Sequence, residues 1–355
     1  MVPFKFILAA TDFSDPAQHA VHRAALLAQR HGARLGLVHV VNPAPFGRVR
    51  EWLGPSAALA LRVEERRARL RALAAQLAAV HGVAAQLELR IGNSFEELHR
   101  AAARADLLVL GQRRRHPLAE RVLGGCALRL ADTCRQPLLV VRQAASGAYR
   151  RILVPTDFTP ASDVAAVVAA ALEPEIDLQI FHACDASGDL LMREADVSES
   201  VIRDCRARQE EGLVARMRRS VARLGLDSRR MSFALGRGSP VAATLRQAQA
   251  AGAELIVTAK ARRSLAGITV PGSVNRLLRR ARCDMLIVPG RLRDPRQAPA
   301  PASASAAAPR AANMQGVRCA AAGTALRGPS WTGPQPPAAL FQAARHGAAA
   351  RPAGE

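Results

Sequence analysis

A repeated segment constrains this chain more than any other feature of its sequence. Residues 6–15 read Phe-Ile-Leu-Ala-Ala-Thr-Asp-Phe-Ser-Asp and residues 151–160 read Arg-Ile-Leu-Val-Pro-Thr-Asp-Phe-Thr-Pro, which share I-L-x-x-T-D-F-[S/T] at an offset of 145 residues. Further apolar runs match in the same order, 106–111 with 254–259 and 137–141 with 284–288. The offset is one domain length and too long for a solenoid unit, which indicates a duplicated domain.

Each copy alternates short apolar runs with longer helical patterns. In the first copy, strands are predicted near 4–10, 34–41, 84–90, 106–111 and 137–141, and helices near 16–31, 56–80, 94–104 and 120–133. Continuous apolar strands between helices are typical of a parallel sheet covered on both faces. The sequence therefore predicts an α/β fold with two repeated five-stranded, Rossmann-like parallel-sheet domains, residues 1–145 and 146–290.

Start and stop signals refine two of these helices. Asp15 is predicted to cap the first helix, with Pro16 at its first position and Gly32 after its end, and Thr159-Pro160 repeats the start in the second copy. Helix 56–80 is predicted to be an amphipathic surface helix. The residues expected on its apolar side are Leu59, Val63, Leu70, Leu73, Leu77 and Val80.

Residues 291–355 differ in composition from the two copies. They hold nine of the chain's 22 Pro, and eight Arg against two acidic residues, with no periodic pattern. Such a segment is predicted to be a disordered tail. A basic arm for an acidic partner is the alternative.

Several protein classes are disfavoured. The sequence has no run of about 18 apolar residues, so no membrane span is predicted. Its first residues form a strand-like apolar segment that lacks the pattern of a signal peptide. Six Cys without a C-x-x-C pair argue against a disulfide scaffold or a zinc ribbon. His182 and Cys184 share a strand face, but no third or fourth ligand has convincing spacing, so no metal site is expected. A cytoplasmic protein with reduced thiols is the expectation.

The net charge of +21 comes from 50 basic and 29 acidic residues, and all but two of the basic residues are Arg. Compositional bias explains this excess without a function, while Arg-phosphate contacts offer a second explanation. With 3% aromatic residues, the chain lacks the stacking side chains that single-strand binders use, which argues against nucleic acid.

Two loops in each copy are candidate ligand sites, because open α/β sheets bind ligands at the carboxyl ends of strands where the strand order reverses. The first loop carries Asp12 in one copy and Asp157 in the other. Either carboxylate could accept hydrogen bonds from a sugar hydroxyl or an adenine amino group, or from backbone amides at the helix start. The second loop, 111–125 or 259–273, ends in small residues before a helix, where amides favour phosphate.

These residues resemble the universal stress protein family, and the duplication resembles its tandem form. The resemblance covers 4–142 and 150–290 and implies adenosine contacts from the Asp after strand one and from the backbone after strand two. It also implies a phosphate loop with the pattern G-x2-G-x9-G-[S/T]. The matching positions are Asp12, Val40, Gly111 and Gly124 in the first copy, and Asp157, Ala183, Gly272 and Ser273 in the second.

Neither copy has the complete phosphate loop. Arg114 and Arg262 replace the second Gly, Gly125 replaces the Ser or Thr of the first copy, and Ala259 replaces the first Gly of the second. An Arg side chain can block close backbone approach to phosphate or grip the phosphate itself. We therefore expect degenerate sites with weak or absent ATP binding.

The resemblance implies a non-enzymatic stress-response regulator that binds unidentified protein partners, with the two copies paired through their last strands as an intramolecular pseudo-dimer. A homodimer of the chain stays open. An ATP-binding switch with slow hydrolysis and a phosphate-backbone binder are the alternative functions.

Overall fold

The computed structural model describes residues 4–42, 55–112, 125–185, 187–260 and 272–290, all within one compact unit that spans 1–298. The predicted tail over 291–355 lies outside the described residues. Among the residues described, none of the helices has the length and apolar character that crossing a bilayer requires.

The first repeat contains five strands and four described helices. In chain order these are β1 (Phe6–Ala10), α1 (Asp15–His31), β2 (Arg34–Val41), α2 (Pro55–His81), β3 (Ala85–Ile91), α3 (Ser94–Ala102), β4 (Leu107–Gly111), α4 (Gly125–Thr133) and β5 (Leu138–Val141). The predicted strands and helices are confirmed to within a few residues at their ends, except that the described part of α4 begins later than predicted.

The second repeat follows the same plan, and its described residues include one short helix, α6 (Ser187–Glu194), in a segment whose counterpart in repeat one lies outside the described residues. Its elements are β6 (Ile152–Pro155), α5 (Pro160–Leu172), β7 (Leu178–Cys184), α6 (Ser187–Glu194), α7 (Glu199–Arg223), β8 (Met231–Arg237), α8 (Pro240–Ala250), β9 (Leu255–Lys260), α9 (Ser273–Arg280) and β10 (Asp284–Pro289). The predicted α/β architecture of two repeated parallel sheets is therefore confirmed.

The strands form one ten-stranded sheet in the order β3-β2-β1-β4-β5-β10-β9-β6-β7-β8. Within each repeat neighbouring strands run parallel, whereas β5 and β10 pair antiparallel, with Leu286 opposite Leu139. The pairing of the last strands expected from the sequence is present. The strand order reverses between β1 and β4, and between β6 and β9, which places the candidate loops at these two points.

Two core clusters cover the two faces of the sheet. One packs α1, α2, α5 and α7 against side chains such as Ile7, and the other packs α3, α4, α8 and α9 against side chains such as Leu8. Because Ile7 and Leu8 are adjacent in β1 and point to opposite faces, the strand is buried on both sides. This explains why inner strands such as β1 are apolar runs, whereas the edge strand β3 (Ala-Gln-Leu-Glu-Leu-Arg-Ile) alternates apolar and polar residues.

Two details of the predicted helices need correction. Ser14, not Asp15, is the N-cap of α1, because Ser14 keeps an extended backbone while its carbonyl accepts from Gln18, and Asp15 is already helical. The C-cap at Gly32 is confirmed by its left-handed φ of 60°. On α2, Val80 is 62% exposed and not on the buried side, because the helix contacts the core through Leu70, Leu73 and Leu77.

Candidate functional site

The loop after the first strand has the same hydrogen bonds in both repeats. In repeat one, Asp12 Oδ1 accepts from the amide of Ser14 at 3.0 Å and from the Ser14 hydroxyl. In repeat two, Asp157 Oδ1 accepts from the amide of Thr159 at 3.1 Å and from its hydroxyl at 2.5 Å. One carboxylate oxygen of each Asp is therefore used at the helix start, which is one of the two roles that the sequence left open.

A phenylalanine after each of these Asp residues has an unusual backbone conformation. Phe13 has a φ of 63° and Phe158 a φ of 61°, both in the left-handed region. A residue with a Cβ pays roughly 1–2 kcal/mol to adopt that region, so the surrounding contacts must hold each turn in place. The sequence shows that T-D-F is shared by the two copies, but it does not predict that the Phe adopts a left-handed backbone conformation.

A histidine at the end of the second strand supports each turn. His39 Nδ1 donates to the carbonyl of Thr11 at 2.7 Å, and His182 Nδ1 donates to the carbonyl of Thr156 at 2.8 Å. Each imidazole also packs on the neighbouring Phe ring with 4.6 Å between ring centroids. His39 is buried and His182 half-buried, and both are strand residues whose imidazole is hydrogen-bonded to the turn.

An arginine of a long helix lies over the Phe ring of each turn. The Arg66 guanidinium lies 5.7 Å from the centroid of Phe13, and that of Arg216 lies 4.1 Å from the centroid of Phe158. Burial lowers the pKa of His39, and the charge of Arg66 acts in the same direction. Sequence reasoning missed both arginines, because on an amphipathic helix they are indistinguishable from solvated surface residues.

The Asp157 carboxylate is held in its ionised form. Burial alone would raise its pKa, but hydrogen bonds from the Thr159 hydroxyl and amide, joined by Ser162, outweigh burial and lower the pKa. Beneath this turn, a cavity of about 10 Å³ is lined by residues of β6, α5, β7 and α7, among them Phe158 and Ser162. That cavity has room for about one water molecule and not for a nucleobase.

Gly111 ends strand β4 at the start of the first repeat's second loop. A Cβ at this position would lie 2.1 Å from the carbonyl oxygen of Pro16 and 2.6 Å from the amide nitrogen of Ala17. Close packing of α1 against β4 therefore requires Gly here, whatever the loop binds. Arg114 and Gly124 lie outside the described residues, while Gly125 is the first residue of α4.

In repeat two, Ala259 takes the place of that Gly within β9 and Lys260 ends the strand. Gly272 is the N-cap of α9, with an ordinary φ of −68°, and Ser273 is the first helical residue. Both are exposed, and nothing lies within 4 Å of the place that a Cβ on Gly272 would take. Arg262 lies outside the described residues.

The strand-two positions implied by the resemblance lie at the same edge of the sheet. Val40 in β2 pairs with Arg90 of β3, and Ala183 in β7 pairs with Gly236 of β8. Both strands end beside the Asp-containing turns, since the amide of Thr11 donates to Val38 and that of Thr156 to Phe181. The structure thus brings the described candidate residues of each repeat to the carboxyl ends of its strands. Within the parts of the chain that are described, no group of three or more His, Cys, Asp or Glu side chains is placed to hold a metal ion.

The chain is similar to known proteins over both repeats. A model of the universal stress protein family matches residues 3–142 and again 148–289. A universal stress protein of Mycolicibacterium smegmatis is 32% identical over 196 residues, which are 52% of this chain and 65% of that relative. One of Thermus aquaticus, named for its position in a sulfhydrylase 3' region, is 35% identical over 145 residues, 39% of this chain and 99% of its own length.

A solved structure shares the fold across both repeats. The crystal structure of a universal stress protein from Archaeoglobus fulgidus superposes with a TM-score of 0.58 at 16% identity, over 81% of this chain and 98% of that one. With two matches of the family model that together span most of the described residues, the chain belongs to the universal stress protein family and carries its domain twice in tandem.

Proposed function

We propose that this tandem protein is a non-enzymatic stress-response regulator whose nucleotide sites are degenerate, with weak or absent ATP binding. The observation that carries the proposal is the position of Lys260, the last residue of β9, where the second repeat's phosphate loop begins. Its ammonium group donates to three carbonyl oxygens of repeat one, those of Ala131, Asp132 and Cys134. The lysine at the start of that loop is thus engaged within the protein.

The substitutions in the loops support the same proposal. Arg114 and Arg262 stand where the family pattern has a Gly that lets the backbone approach phosphate, and Ala259 adds a methyl group in repeat two. The polar groups near the loops also have structural tasks, because Asp12 and Asp157 each hold a helix start and both histidines hold a turn.

An ATP-binding switch with slow hydrolysis is the second candidate, and repeat two favours it. Asp157 is held ionised, and Gly272 and Ser273 are exposed at a helix start whose amides can receive phosphate. Repeat two therefore retains more of the features of a nucleotide site than repeat one does.

A bound-ligand assay separates the two candidates. Freshly purified protein is denatured and its supernatant analysed by mass spectrometry, and the folded protein is titrated with millimolar Mg-ATP in a thermal-shift assay. The regulator proposal expects no co-purified nucleotide and no more than a small shift in millimolar Mg-ATP. Co-purified ATP or AMP that is lost in Asp157→Asn, but kept in the equivalent Asp12→Asn, would instead establish a nucleotide switch in repeat two.

A second variant tests the role assigned to the arginine. Arg262→Gly restores the family's glycine, so nucleotide affinity should rise if the side chain blocks the phosphate cradle. A fall would mean that the guanidinium is itself a ligand. Arg263→Gly, one residue away, is the matched control and should leave affinity at the wild-type level.

We further propose that the chain is organised as two universal stress protein domains, 1–145 and 146–290, followed by a tail, and that it acts in the cytoplasm by binding other proteins. Limited proteolysis tests this organisation. It should cut first in the segment around residue 145 and beyond residue 290, and early cuts elsewhere would contradict it.

A further inference from the structure

The two repeats meet along their last strands. Strands β5 and β10 pair antiparallel, with Leu138 opposite Ile287 and Val140 opposite Met285. These four side chains are apolar and buried. The strand pair by itself therefore offers little to distinguish repeat one from repeat two, and specificity must come from the groups around it.

A buried acid of repeat two sits at one end of this pair. Asp284 Oδ1 accepts from the amide of Arg142 at 2.7 Å, and Oδ2 accepts from the hydroxyl of Tyr149 at 2.6 Å. Arg23 of α1 stacks on the Tyr149 ring at 3.9 Å, and its Nε lies 3.9 Å from Asp284 Oδ2. Burial raises the pKa of Asp284, while these hydrogen bonds and the Arg23 charge act against it. Repeat one thus surrounds the acid with a cation and amide donors.

A second acidic contact of repeat two lies at the end of α5. Glu173 is buried, and its Oε2 lies 3.0 Å from Arg30 Nη1 in an ion pair that is not aligned as a hydrogen bond. Arg30 also donates to Glu175 at 3.1 Å, and Glu173 Oε1 accepts from the amide of Tyr149 at 3.1 Å. The cations here come from α1 of repeat one and the acids from repeat two.

Two basic residues also cap helix ends across the interface. Lys260 of repeat two donates to carbonyls at the C-terminal end of α4, as described above, and the nearby Asn275 amide donates to Asp132 at 3.0 Å. In the opposite direction, the Arg142 guanidinium of repeat one donates to the carbonyls of Leu278 and Ala281 at the end of α9. Each repeat stabilises the negative end of the other's last helix, with a different residue.

These contacts are not repeated symmetrically. By the alignment of the copies, repeat one has Pro137 at the position of Asp284 and Gln112 at that of Lys260, and repeat two has Val168 at that of Arg23. Two first repeats paired in this way would bury Arg23 without an acid. Two second repeats would bury Asp284 without a cation, and a buried charge that has lost its partner is costly.

We propose that the surface around β5 and β10 is a heterotypic recognition surface, on which repeat one accepts repeat two and rejects a second copy of itself. The chain satisfies this surface internally, so a homodimer in which each chain keeps its own two repeats paired must use a different surface. Dimers that pair β5 with β5, or β10 with β10, of two copies are disfavoured by the same contacts.

Controlled cleavage of the full chain tests this specificity. A protease site inserted between Ala145 and Ser146 is cut after folding, and two such preparations, one isotopically labelled, are mixed under conditions that allow exchange. Native mass spectrometry should then find only complexes with one piece of each kind. Homotypic complexes of either piece at the abundance that random pairing would produce would overturn the proposal.

If the two pieces exchange partners too slowly for the mixing experiment, the dissociation constant of a variant tests the same proposal. Asp284→Asn in the cleaved protein should raise the dissociation constant of the two pieces by about tenfold or more, because Arg23 loses its buried acid. Asp227→Asn, which changes an exposed acid of repeat two beside the turn Ser228–Arg230, should leave that constant unchanged. Equal dissociation constants for Asp284→Asn and wild type would contradict the proposal.

Discussion

Lys260 and Cys134 are 126 residues apart in the sequence, yet the Lys260 ammonium lies 2.7 Å from the Cys134 carbonyl oxygen. The same ammonium is 3.0 Å from the carbonyl oxygens of Ala131 and Asp132. A lysine has three donors, and here all three have acceptors at the negative end of a helix. One of only two lysines in the chain therefore joins the candidate loop of repeat two to the last helix of repeat one.

Removing this ammonium should weaken the fold. Lys260→Ala leaves the carbonyls at the end of α4 without their charged donor, and we expect the free energy of unfolding to fall by about 1.5–3 kcal/mol. Urea denaturation measures the change. Lys5→Ala, at the chain's other and exposed lysine, is the control and should stay within about 0.5 kcal/mol of wild type. Equal losses in both variants would mean that the three contacts add nothing.

The left-handed turn at Phe158 predicts an unusual order of stabilities. Both Phe158→Ala and Phe158→Gly lose the ring that packs between His182 and Arg216. Only glycine also relieves the strain of a φ of 61°. We therefore expect the Gly variant to be more stable than the Ala variant by about 1 kcal/mol in urea denaturation.

The matched control for this pair is the exposed Arg208 in α7. In a helix, glycine is about 1 kcal/mol worse than alanine, so Arg208→Gly should be less stable than Arg208→Ala. If Phe158 showed the same order as Arg208, the turn would carry no strain.

The fold was predictable from the sequence because its signals are local or repeated. Apolar runs, the T-D-F segment and Gly32 each identify an element within a few residues of chain. The hydrogen bonds of each Asp-containing turn are local, but the arginine contacts over the turns and at the interface between the repeats are not. Arg216 reaches Phe158 from a different helix, and the amide of Arg142 donates to an acid 142 residues away. On an Arg-rich chain, composition cannot tell which arginines make such contacts, and only the folded geometry selects them.

Acid should destabilise the protein through His39. Burial lowers its pKa, so the folded chain binds this proton less readily than the unfolded chain, whose histidines titrate near about 6.5. The contribution of His39 is present above that pH and is lost as the pH falls towards the lower folded-state pKa. We expect the free energy of unfolding to fall between about pH 7 and pH 5, and His39→Gln to make that fall less steep.

Urea denaturation at several pH values measures these slopes. His99→Gln changes an exposed histidine on α3 and is the control, which should keep the wild-type slope. A slope that is the same in His39→Gln and wild type would show that the buried imidazole is not responsible for the acid sensitivity.

Gly111 begins the second loop of repeat one, and Gly272 lies near the end of the second loop of repeat two. The two should respond differently to alanine, which distinguishes a glycine required for packing from one that is free to bind a ligand. Gly111→Ala would place a methyl group 2.1 Å from the Pro16 carbonyl oxygen, so α1 must move away from β4 and we expect a loss of about 3 kcal/mol. Gly272→Ala meets nothing within 4 Å and has a φ that alanine adopts, so the loss should not exceed about 1 kcal/mol at this N-cap. Thermal and urea denaturation of both variants measure the difference. A stable Gly111→Ala protein that loses only nucleotide affinity would show that Gly111 serves a ligand rather than the packing of the first helix.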